Sequence, residues 1–312
     1  GQVSVKLTAF YSQFDPLDAQ GSQAQTSDRI RTLLRHAHNL GIAVHFDMEQ
    51  YVYKTLTLET LKELLLEPEF RDRDDIGLTL QAYLRDSYSD LQNLIEWAKL
   101  RGTPVTVRLV KGAYWDQEMI QSAQKGWPQP VYSVKADTDA NFEQMTQLLL
   151  ENHSVLHAAI GSHNVRSQAK AIAISKNLQI PAQHFELQVL YGMADKLAQT
   201  LSAQGQKVRV YCPYGELIPG MSYLIRRLLE NTANSSFLKQ SVEGMGVEDL
   251  LAVPEKSSQF AVYGSQLMEL HTSETTPDSD YAQAALRQQA QEAIASVRRQ
   301  LGRQYWPWVN GA

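Results

Sequence analysis

The sequence is poor in cysteine and has no long hydrophobic run. Cys212 is the single cysteine among 312 residues, which excludes an internal disulfide and a zinc site built from cysteines. This cysteine usage is typical of a reducing compartment, and we expect a cytoplasmic protein. The sequence predicts no membrane-spanning helix, because such a helix needs a run of roughly 18 or more apolar residues and none is present.

The charge balance excludes a second group of functions. The 29 Lys and Arg residues face 34 Asp and Glu residues, which gives a net charge of −5. Because no basic patch of the kind that follows a nucleic acid backbone is present, we expect no nucleic acid partner for this chain. The segment 1–10 lacks the regions of a signal peptide and begins almost inside a predicted strand. We therefore expect a piece of a longer protein.

What the sequence does contain is an alternation of β-rich runs and helical stretches. The spacing of successive runs is typical of βα units, which predicts a parallel sheet with helical crossovers. The runs are mostly apolar, as expected for strands that are covered on both faces. The predicted strands span 3–10, 41–49, 76–84, 104–112, 155–163, 184–192 and 207–215. The predicted helices span 26–39, 56–66, 87–100, 114–124, 139–151, 165–177 and 190–203.

Two parallel architectures fit this alternation. A doubly wound open sheet normally carries a glycine-rich phosphate loop after its first strand, and no GxGxxG or GxxxxGK[ST] follows any run here. A (βα)8 barrel places functional side chains at the carboxyl ends of many strands. We therefore predict an α/β fold, a distorted (βα)8 TIM-type barrel, whose first strand precedes Gly1 and is missing from this chain. The polar residues near the strand ends are Lys6, Asp47, Gln81, Arg108, Lys111, His163, Glu186, Gln188 and Tyr211.

A helix predicted from the stretch YLIRRLLENTANSSF, residues 223–237, carries a candidate anion site. Tyr223, Arg226, Arg227 and Glu230 share one face by their spacing. Two adjacent guanidinium groups form a fork that fits a carboxylate or phosphate. A solvated face with an Arg226–Glu230 ion pair is the alternative. The opposite stripe is apolar, and we expect it to pack down; it comprises Leu224, Ile225, Leu228 and Leu229.

The strand end VRLVKGAYWDQE, residues 107–118, is the second candidate site. Gly112 and Ala113 are small, so backbone N–H groups can approach a ligand, and Lys111 adds positive charge at a helix start. Trp115 stacks on a ring or packs as an ordinary core residue. Arg108 is placed to stabilise negative charge that develops on a ligand ring. We also predict a hydrogen bond from the phenol of Tyr211 to the carboxylate of Asp47.

Nine segments occur in an order that is characteristic of one family and cover most of residues 3–238. They are VSVKLTAF, FDMEQ, QAYLRD, RLVKGAYWDQE, VYSVKADTDANF, GSHN, FELQVLYGM, RVYCPYG and YLIRRLLENTANSSF. With these segments the chain resembles the proline dehydrogenase domain of bifunctional PutA-type flavoenzymes and the stand-alone proline dehydrogenases. The resemblance implies FAD-dependent oxidation of L-proline to Δ1-pyrroline-5-carboxylate by hydride transfer to flavin N5. It also implies a membrane quinone as electron acceptor and peripheral contact with the membrane.

The resemblance assigns roles to individual residues of this sequence. It implies that Lys6, Arg226 and Arg227 hold the proline carboxylate, while Tyr211, Tyr223 and Leu190 wall the substrate pocket. Asp47, Arg108 and Tyr211 are the implied catalytic residues. The implied FAD contacts are Gln81, Arg108, Val110, Lys111, Gly112, Ala113, Trp115, Lys135, Ser162, His163, Glu230 and Ser236. Two positions depart from the family pattern: Ser162 where Thr is common, and Val134 where Arg is common.

The resemblance also divides the chain. Residues 1–240 are the predicted proline dehydrogenase barrel, 241–280 an irregular segment and linker, and 281–312 a helix and tail that lead towards an aldehyde dehydrogenase domain. Two alternatives remain for the function: another flavin barrel oxidoreductase of the methylenetetrahydrofolate reductase type, and a non-catalytic barrel scaffold. A metal-dependent hydrolase is the weakest, because His36 and His38 have no companion ligands in sequence, and we expect no metal.

Overall fold

The architecture is a parallel sheet wrapped by helices, seen in a computed structural model that describes residues 1–232, 246–257 and 279–302. The sheet contains seven parallel strands in sequential order. They are β1 (Gln2–Val5), β2 (Ala43–Phe46), β3 (Ile76–Gln81), β4 (Val105–Val110), β5 (Leu156–Gly161), β6 (Phe185–Leu190) and β7 (Val208–Tyr211). The predicted parallel βα organisation is confirmed.

Each strand is joined to the next by helical structure on the outside of the sheet. The helices are α1 (Ala19–Asn39), α2 (Tyr51–Leu64), α3 (Ser87–Arg101), α4 (Trp115–Lys125), α5 (Lys135–Glu151), α6 (Val165–Asn177), α7 (Asp195–Ala203) and α8 (Leu217–Thr232). A one-turn helix (Val247–Leu250) and a C-terminal helix (Ala284–Gln300) follow. None of the helices within the described ranges is long and apolar enough to cross a membrane.

The sheet is strongly curled. Neighbouring strands lie about 4.8 Å apart, so a flat sheet would separate β1 from β4 by roughly 14 Å and β2 from β7 by roughly 24 Å. Yet Arg108 of β4 donates to Ser4 of β1 at 2.9 Å, and Tyr211 of β7 donates to Asp47 after β2 at 3.0 Å. These contacts require the sheet to close towards a barrel, as predicted. In the described part of the chain β1 and β7 are its two edges.

The core lies between the outside of the sheet and the surrounding helices. Outward-pointing strand residues such as Val44, Val107 and Leu187 are fully buried, together with Leu61 of α2 and Phe142 of α5. Because the interior of the curled sheet then needs no large apolar core, it can hold polar groups. His45 and Thr79, both buried, share a hydrogen bond of 3.1 Å there. The interior of the curled sheet therefore holds buried polar side chains.

The strands differ from the sequence-based bounds mainly at their ends, and the helices mainly at their starts. Strand β1 ends at Val5 and is followed by a 3-10 turn, Leu7–Ala9. Helix α1 begins at Ala19 rather than 26, because the Asp18 carboxylate caps it by accepting from the Gly21 N–H at 3.1 Å. Helix α7 begins at Asp195, since the segment directly after β6 is used as a turn.

The C-terminal helix lies against the barrel. Arg287 is buried and its Nη2 lies 3.2 Å from a carboxylate oxygen of Glu59 on α2. The helix predicted at the start of 281–312 is thus present, as Ala284–Gln300, although its role as a connection to another domain stays a prediction. Of the predicted irregular segment and linker, 241–280, residues 241–245 and 258–278 lie outside the described residues, as does the predicted tail at 303–312.

Candidate functional site at the carboxyl ends of the strands

The predicted site residues that follow the strands lie at one end of the barrel, because parallel strands place all their carboxyl ends on the same side. Arg108 lies at the centre of this end. Its Nε donates to Gln188 Oε1 at 2.6 Å and its Nη2 to Ser4 Oγ at 2.9 Å, while Nη1 contacts Asp47 Oδ1. Burial lowers the pKa of Arg108, and Asp47 opposes that effect. The guanidinium is therefore held rigidly by three different strands or strand ends.

The predicted hydrogen bond between Tyr211 and Asp47 is present. The phenol donates to Asp47 Oδ2 at 3.0 Å, and the tyrosine ring lies 5.3 Å from the Arg108 guanidinium carbon. Burial and the neighbouring Asp47 carboxylate raise the pKa of Tyr211. The phenol is therefore protonated at neutral pH and acts as a donor. The catalytic roles of these three residues stay predictions.

Tyr114 is a site residue that the sequence reasoning missed. Lys6 Nζ donates to the Tyr114 hydroxyl at 2.9 Å, and the Arg226 guanidinium carbon lies 4.9 Å from the centre of the same ring. Tyr114 thus joins the end of β1 to α8. In the sequence Tyr114 is distinguished only by its position beside Trp115 in the motif of residues 107–118. Nothing there separates it from any other aromatic residue at the start of a helix.

Helix α8 turns its arginines towards the barrel. Tyr223, Arg226 and Arg227 are half-buried, and Arg227 lies over the Tyr223 ring at 5.5 Å. The prediction that the apolar stripe packs down is wrong for the three leucine and isoleucine residues whose side chains are described. Leu224, Ile225 and Leu228 are 45%, 50% and 63% exposed. The charged face is the less exposed one, because it faces the barrel mouth, where Arg226 lies over the Tyr114 ring.

The ends of β5 and β6 are joined through His163. The Leu190 N–H donates to His163 Nε2 at 3.0 Å, so this nitrogen carries no proton. Burial, and secondarily the positive charge of Arg227, lowers the pKa of His163 to about 4. The imidazole is therefore neutral at pH 7. Ser162 is used locally, since its hydroxyl accepts from the Asn164 N–H at 3.1 Å.

The loop after β4 provides a positive region next to α5. Asp139 pairs with both Lys111 and Lys135 at 2.5 Å, which leaves one net positive charge among the three groups. Burial lowers the pKa of Lys111, and the Asp139 carboxylate opposes this. A cleft of about 420 Å³ opens beside them, lined by the starts of α5 and α6 and by residues 249–255. Lys135 is exposed at this cleft, whose lining also includes the carboxylates of Asp139, Glu143, Asp249 and Glu255.

Gly112 and Trp115 have structural contacts of their own. Gly112 has φ of +145°, and a Cβ added there would lie 2.3 Å from the Tyr83 ring. The positive φ and the tyrosine ring therefore both require glycine here, whereas the sequence analysis explained it by the approach of a ligand. Trp115 is 39% exposed and donates from Nε1 to the Tyr132 carbonyl at 2.8 Å. Ala113 is exposed at the same turn.

Gln81 presents a buried acceptor to the site. Its Nε2 donates to the Glu49 carbonyl at 3.2 Å, which fixes the amide. Its Oε1 is buried and has no hydrogen-bond partner among the described residues. Because buried polar atoms are rarely left unpaired, this oxygen is open to a donor from water or from a bound group. Two further predicted contacts, Ser236 and the side chain of Glu230, lie outside what the structure describes.

The family model and the curated relatives that match this chain point to the same family. The family model for proline dehydrogenase matches residues 1–240. Proline dehydrogenase 1 of Bacillus subtilis is 31% identical over 77% of this chain and 69% of its own length. Bifunctional protein PutA of Escherichia coli is 28% identical over 81% of this chain.

The same family appears among solved structures. Proline utilization A from Bdellovibrio bacteriovorus, inactivated by N-propargylglycine, superimposes with a TM-score of 0.88 and 43% identity over 96% of this chain. This chain spans 31% of that protein and 20% of the Escherichia coli protein. The similarity therefore concerns one part of these longer relatives.

Proposed function

Because the chain belongs to the proline dehydrogenase family, we propose that its barrel binds L-proline and FAD and oxidises proline to Δ1-pyrroline-5-carboxylate. The observation that carries this proposal is the convergence of Lys6, Tyr114 and Arg226 at the barrel mouth, the end of the barrel that also holds the buried Arg108. A small zwitterion needs such a cationic receptor for its carboxylate. The residues beside that receptor must then serve the oxidation itself.

The carboxylate of proline is held by cations from two elements. Lys6 follows β1, and Arg226 and Arg227 lie on one face of α8, so a carboxylate between them gains charge-assisted hydrogen bonds from both sides. Tyr114 keeps Lys6 and Arg226 together. Tyr211, Tyr223 and Leu190 form the walls against which the pyrrolidine ring packs. This arrangement orients the carbon next to nitrogen, an effect that lowers reaction barriers substantially.

The residues present fit an isoalloxazine ring and a pyrophosphate. The unpaired Gln81 Oε1 matches a ring N–H, and Arg108 supplies a cation at the ring. The phosphate end would be held by Lys111 and Lys135. Further contacts of that end would come from Val110, Gly112, Ala113, Trp115, Ser162 and His163. When bound, FAD supplies the hydride acceptor. Glu230 and Ser236 remain proposed contacts.

The oxidation removes a hydride from carbon and a proton from nitrogen. His163 Nε2 already accepts from Leu190, and Asp47 is shared by Arg108 and Tyr211. Neither group is therefore offered to the amine as a base, and we assign the proton to solvent. Arg108 would stabilise the negative charge that arrives with the hydride. We propose quinone as the final acceptor and aldehyde dehydrogenase as the activity of a fused domain on family grounds alone.

The test is the visible spectrum of the purified protein before and after anaerobic L-proline. A yellow protein whose flavin bands bleach is the expected result. A yellow protein that ignores proline would favour the reductase type of flavin barrel, in which reduced nicotinamide does the bleaching. A protein that binds no added FAD would favour a scaffold.

The carboxylate receptor has its own test in Arg226→Met. We expect the KM for proline to rise at least about tenfold, or about 1.4 kcal/mol, because one charge-assisted contact is lost. Lys99→Met is the matched control, since Lys99 is an exposed cation on α3 that pairs with Glu96. An unchanged KM in Arg226→Met would remove the receptor from the proposal.

A further inference from the structure

Gln188 lies inside the curled sheet between two charged groups. It belongs to β6 and is buried. Its Oε1 accepts from Arg108 Nε at 2.6 Å, and its Nε2 donates to Glu186 Oε1 at 2.7 Å. The amide therefore links the Arg108 site directly to the ion pairs that lie deeper in the barrel.

The chemistry of its neighbours fixes which way this amide points. A guanidinium can only donate hydrogen bonds and a carboxylate can only accept them, so the carbonyl must face Arg108 and the NH2 must face Glu186. Glu186 is itself held by Arg209, through bonds of 2.7 and 2.9 Å, and by Lys207 at 3.2 Å. Burial works to raise the pKa of Glu186, but the hydrogen bonds from Arg209 and Gln188 outweigh it and lower that pKa. Glu186 thus stays an acceptor at neutral pH.

The other two partners of Arg108, Asp47 and Ser4, are held less firmly than Gln188. Asp47 also accepts from Tyr211, a proposed wall of the substrate site, so its position responds to that residue. Ser4 lies on β1, an edge strand of the described sheet. Gln188 lies on β6, which is hydrogen-bonded to a strand on each side. It is the partner of Arg108 with the most rigid support.

We propose that Gln188 is a positioning residue, whose amide, oriented by Glu186, holds the Arg108 guanidinium where it stabilises negative charge on the flavin ring. This inference rests on the proposed function. Without the amide, Arg108 Nε loses its hydrogen-bond acceptor, and the guanidinium can move towards Asp47. The cations that bind proline lie on other elements, so the loss acts on the rate of oxidation and on the flavin rather than on proline binding.

The principal test is Gln188→Met, which keeps the length of the side chain and removes both hydrogen bonds. We expect kcat to fall about tenfold while KM for proline changes less than about twofold. The equilibrium constant for reduction of the bound flavin should also fall about tenfold, a shift of the midpoint potential by about −30 mV for a two-electron couple. The potential is measured by reductive titration without proline, so it does not depend on turnover.

Thr60→Val is the matched control. Thr60 is buried on α2 and its hydroxyl donates to the Leu56 carbonyl at 2.7 Å, a bond as short as those of Gln188 but without contact to Arg108. The proposal expects unchanged kcat and potential in this variant. An equal loss in Thr60→Val would show a general effect of buried hydrogen bonds and would overturn the proposal. So would a Gln188→Met protein with wild-type kcat and potential.

A second variant covers the case in which Gln188→Met does not fold. Gln188→Glu keeps an acceptor for Arg108 but places two carboxyl groups together, which raises one of their pKa values. Below that pKa a shared proton restores the bond to Glu186, so the ratio of variant to wild-type kcat should fall as pH rises. A ratio that does not change with pH contradicts the proposal. If the wild-type protein does not bleach with proline, the proposed function fails instead, whatever the variants do.

Discussion

Tyr211 donates a hydrogen bond of 3.0 Å to Asp47, although the two residues belong to strand ends five positions apart in the sheet. The bond spans the mouth of the barrel and leaves the second carboxylate oxygen of Asp47 to Arg108. One carboxylate therefore connects the proposed substrate wall to the proposed flavin cation.

Tyr211→Phe tests this connection. The ring and its contact with Arg108 remain, while Asp47 loses one donor inside a half-buried site. We expect kcat/KM for proline to fall about tenfold, equivalent to ~1.4 kcal/mol. Steady-state kinetics provide the measurement, and Tyr214→Phe is the control, because Tyr214 lies three residues after Tyr211 and is fully exposed. Equal kinetics in the two variants would show that the hydrogen bond contributes nothing.

Tyr114 is expected to act through Lys6 and Arg226 rather than on the reaction. Tyr114→Phe removes the acceptor of Lys6 but keeps the ring under Arg226, so we expect KM to rise roughly threefold to tenfold. Tyr114→Ala removes both contacts and should raise KM further. If the alanine variant is no worse than the phenylalanine variant, the ring contact with Arg226 is without effect.

His163 should make stability depend on pH. Its pKa is lowered to about 4 in the folded protein, against about 6.5 for a free histidine. Between these values the unfolded chain binds the extra proton, so the free energy of unfolding falls as pH drops from about 6.5 to 4, by at most about 3 kcal/mol. Above pH 6.5 the imidazole is neutral in both states and the effect is absent.

Urea unfolding across pH 4–7 measures this slope. His163→Gln should flatten it by roughly one proton relative to the wild type. A His163→Gln protein with the full wild-type slope would assign the pH dependence to other groups.

Arg101 is a buried cation held by carbonyl groups. It is 2% exposed, and its guanidinium donates to the carbonyls of Leu65, Phe70 and Arg73 at 3.1, 3.1 and 2.6 Å. Burial lowers its pKa to about 10, so it stays charged at neutral pH. Arg101→Met leaves these buried carbonyls unpaired, and we expect the free energy of unfolding to fall by about 3 kcal/mol or more.

Denaturant unfolding checks this value, and the KM for proline should not change because Arg101 lies far from the strand carboxyl ends, at the end of α3. Lys99→Met on the same helix is the control, with an expected change below about 0.5 kcal/mol for an exposed residue. A loss in Arg101→Met as small as that of the control would mean that water reaches these carbonyls.

Local patterns were sufficient to predict most of the architecture. Each strand reads as an apolar run and each crossover as a helical stretch, and the separation between runs selects parallel pairing. The motif around Lys111 and the adjacent Arg226 and Arg227 could likewise be recognised, because their chemistry lies within a few neighbouring residues. Helix starts were less predictable: α1 begins in the polar stretch AQGSQAQ, where a single Asp18 cap replaces the apolar signal.

The sequence by itself therefore determined the number, order and direction of the described strands and the residue types gathered at their carboxyl ends. The tertiary structure alone decided which face of α8 is buried, that Tyr114 joins Lys6 to Arg226, and that Gln188 links Arg108 to Glu186. These features depend on contacts between residues 80 or more positions apart, or on what covers a helix face. Periodicity reports which residues share a face, but only the packed neighbours decide where that face points.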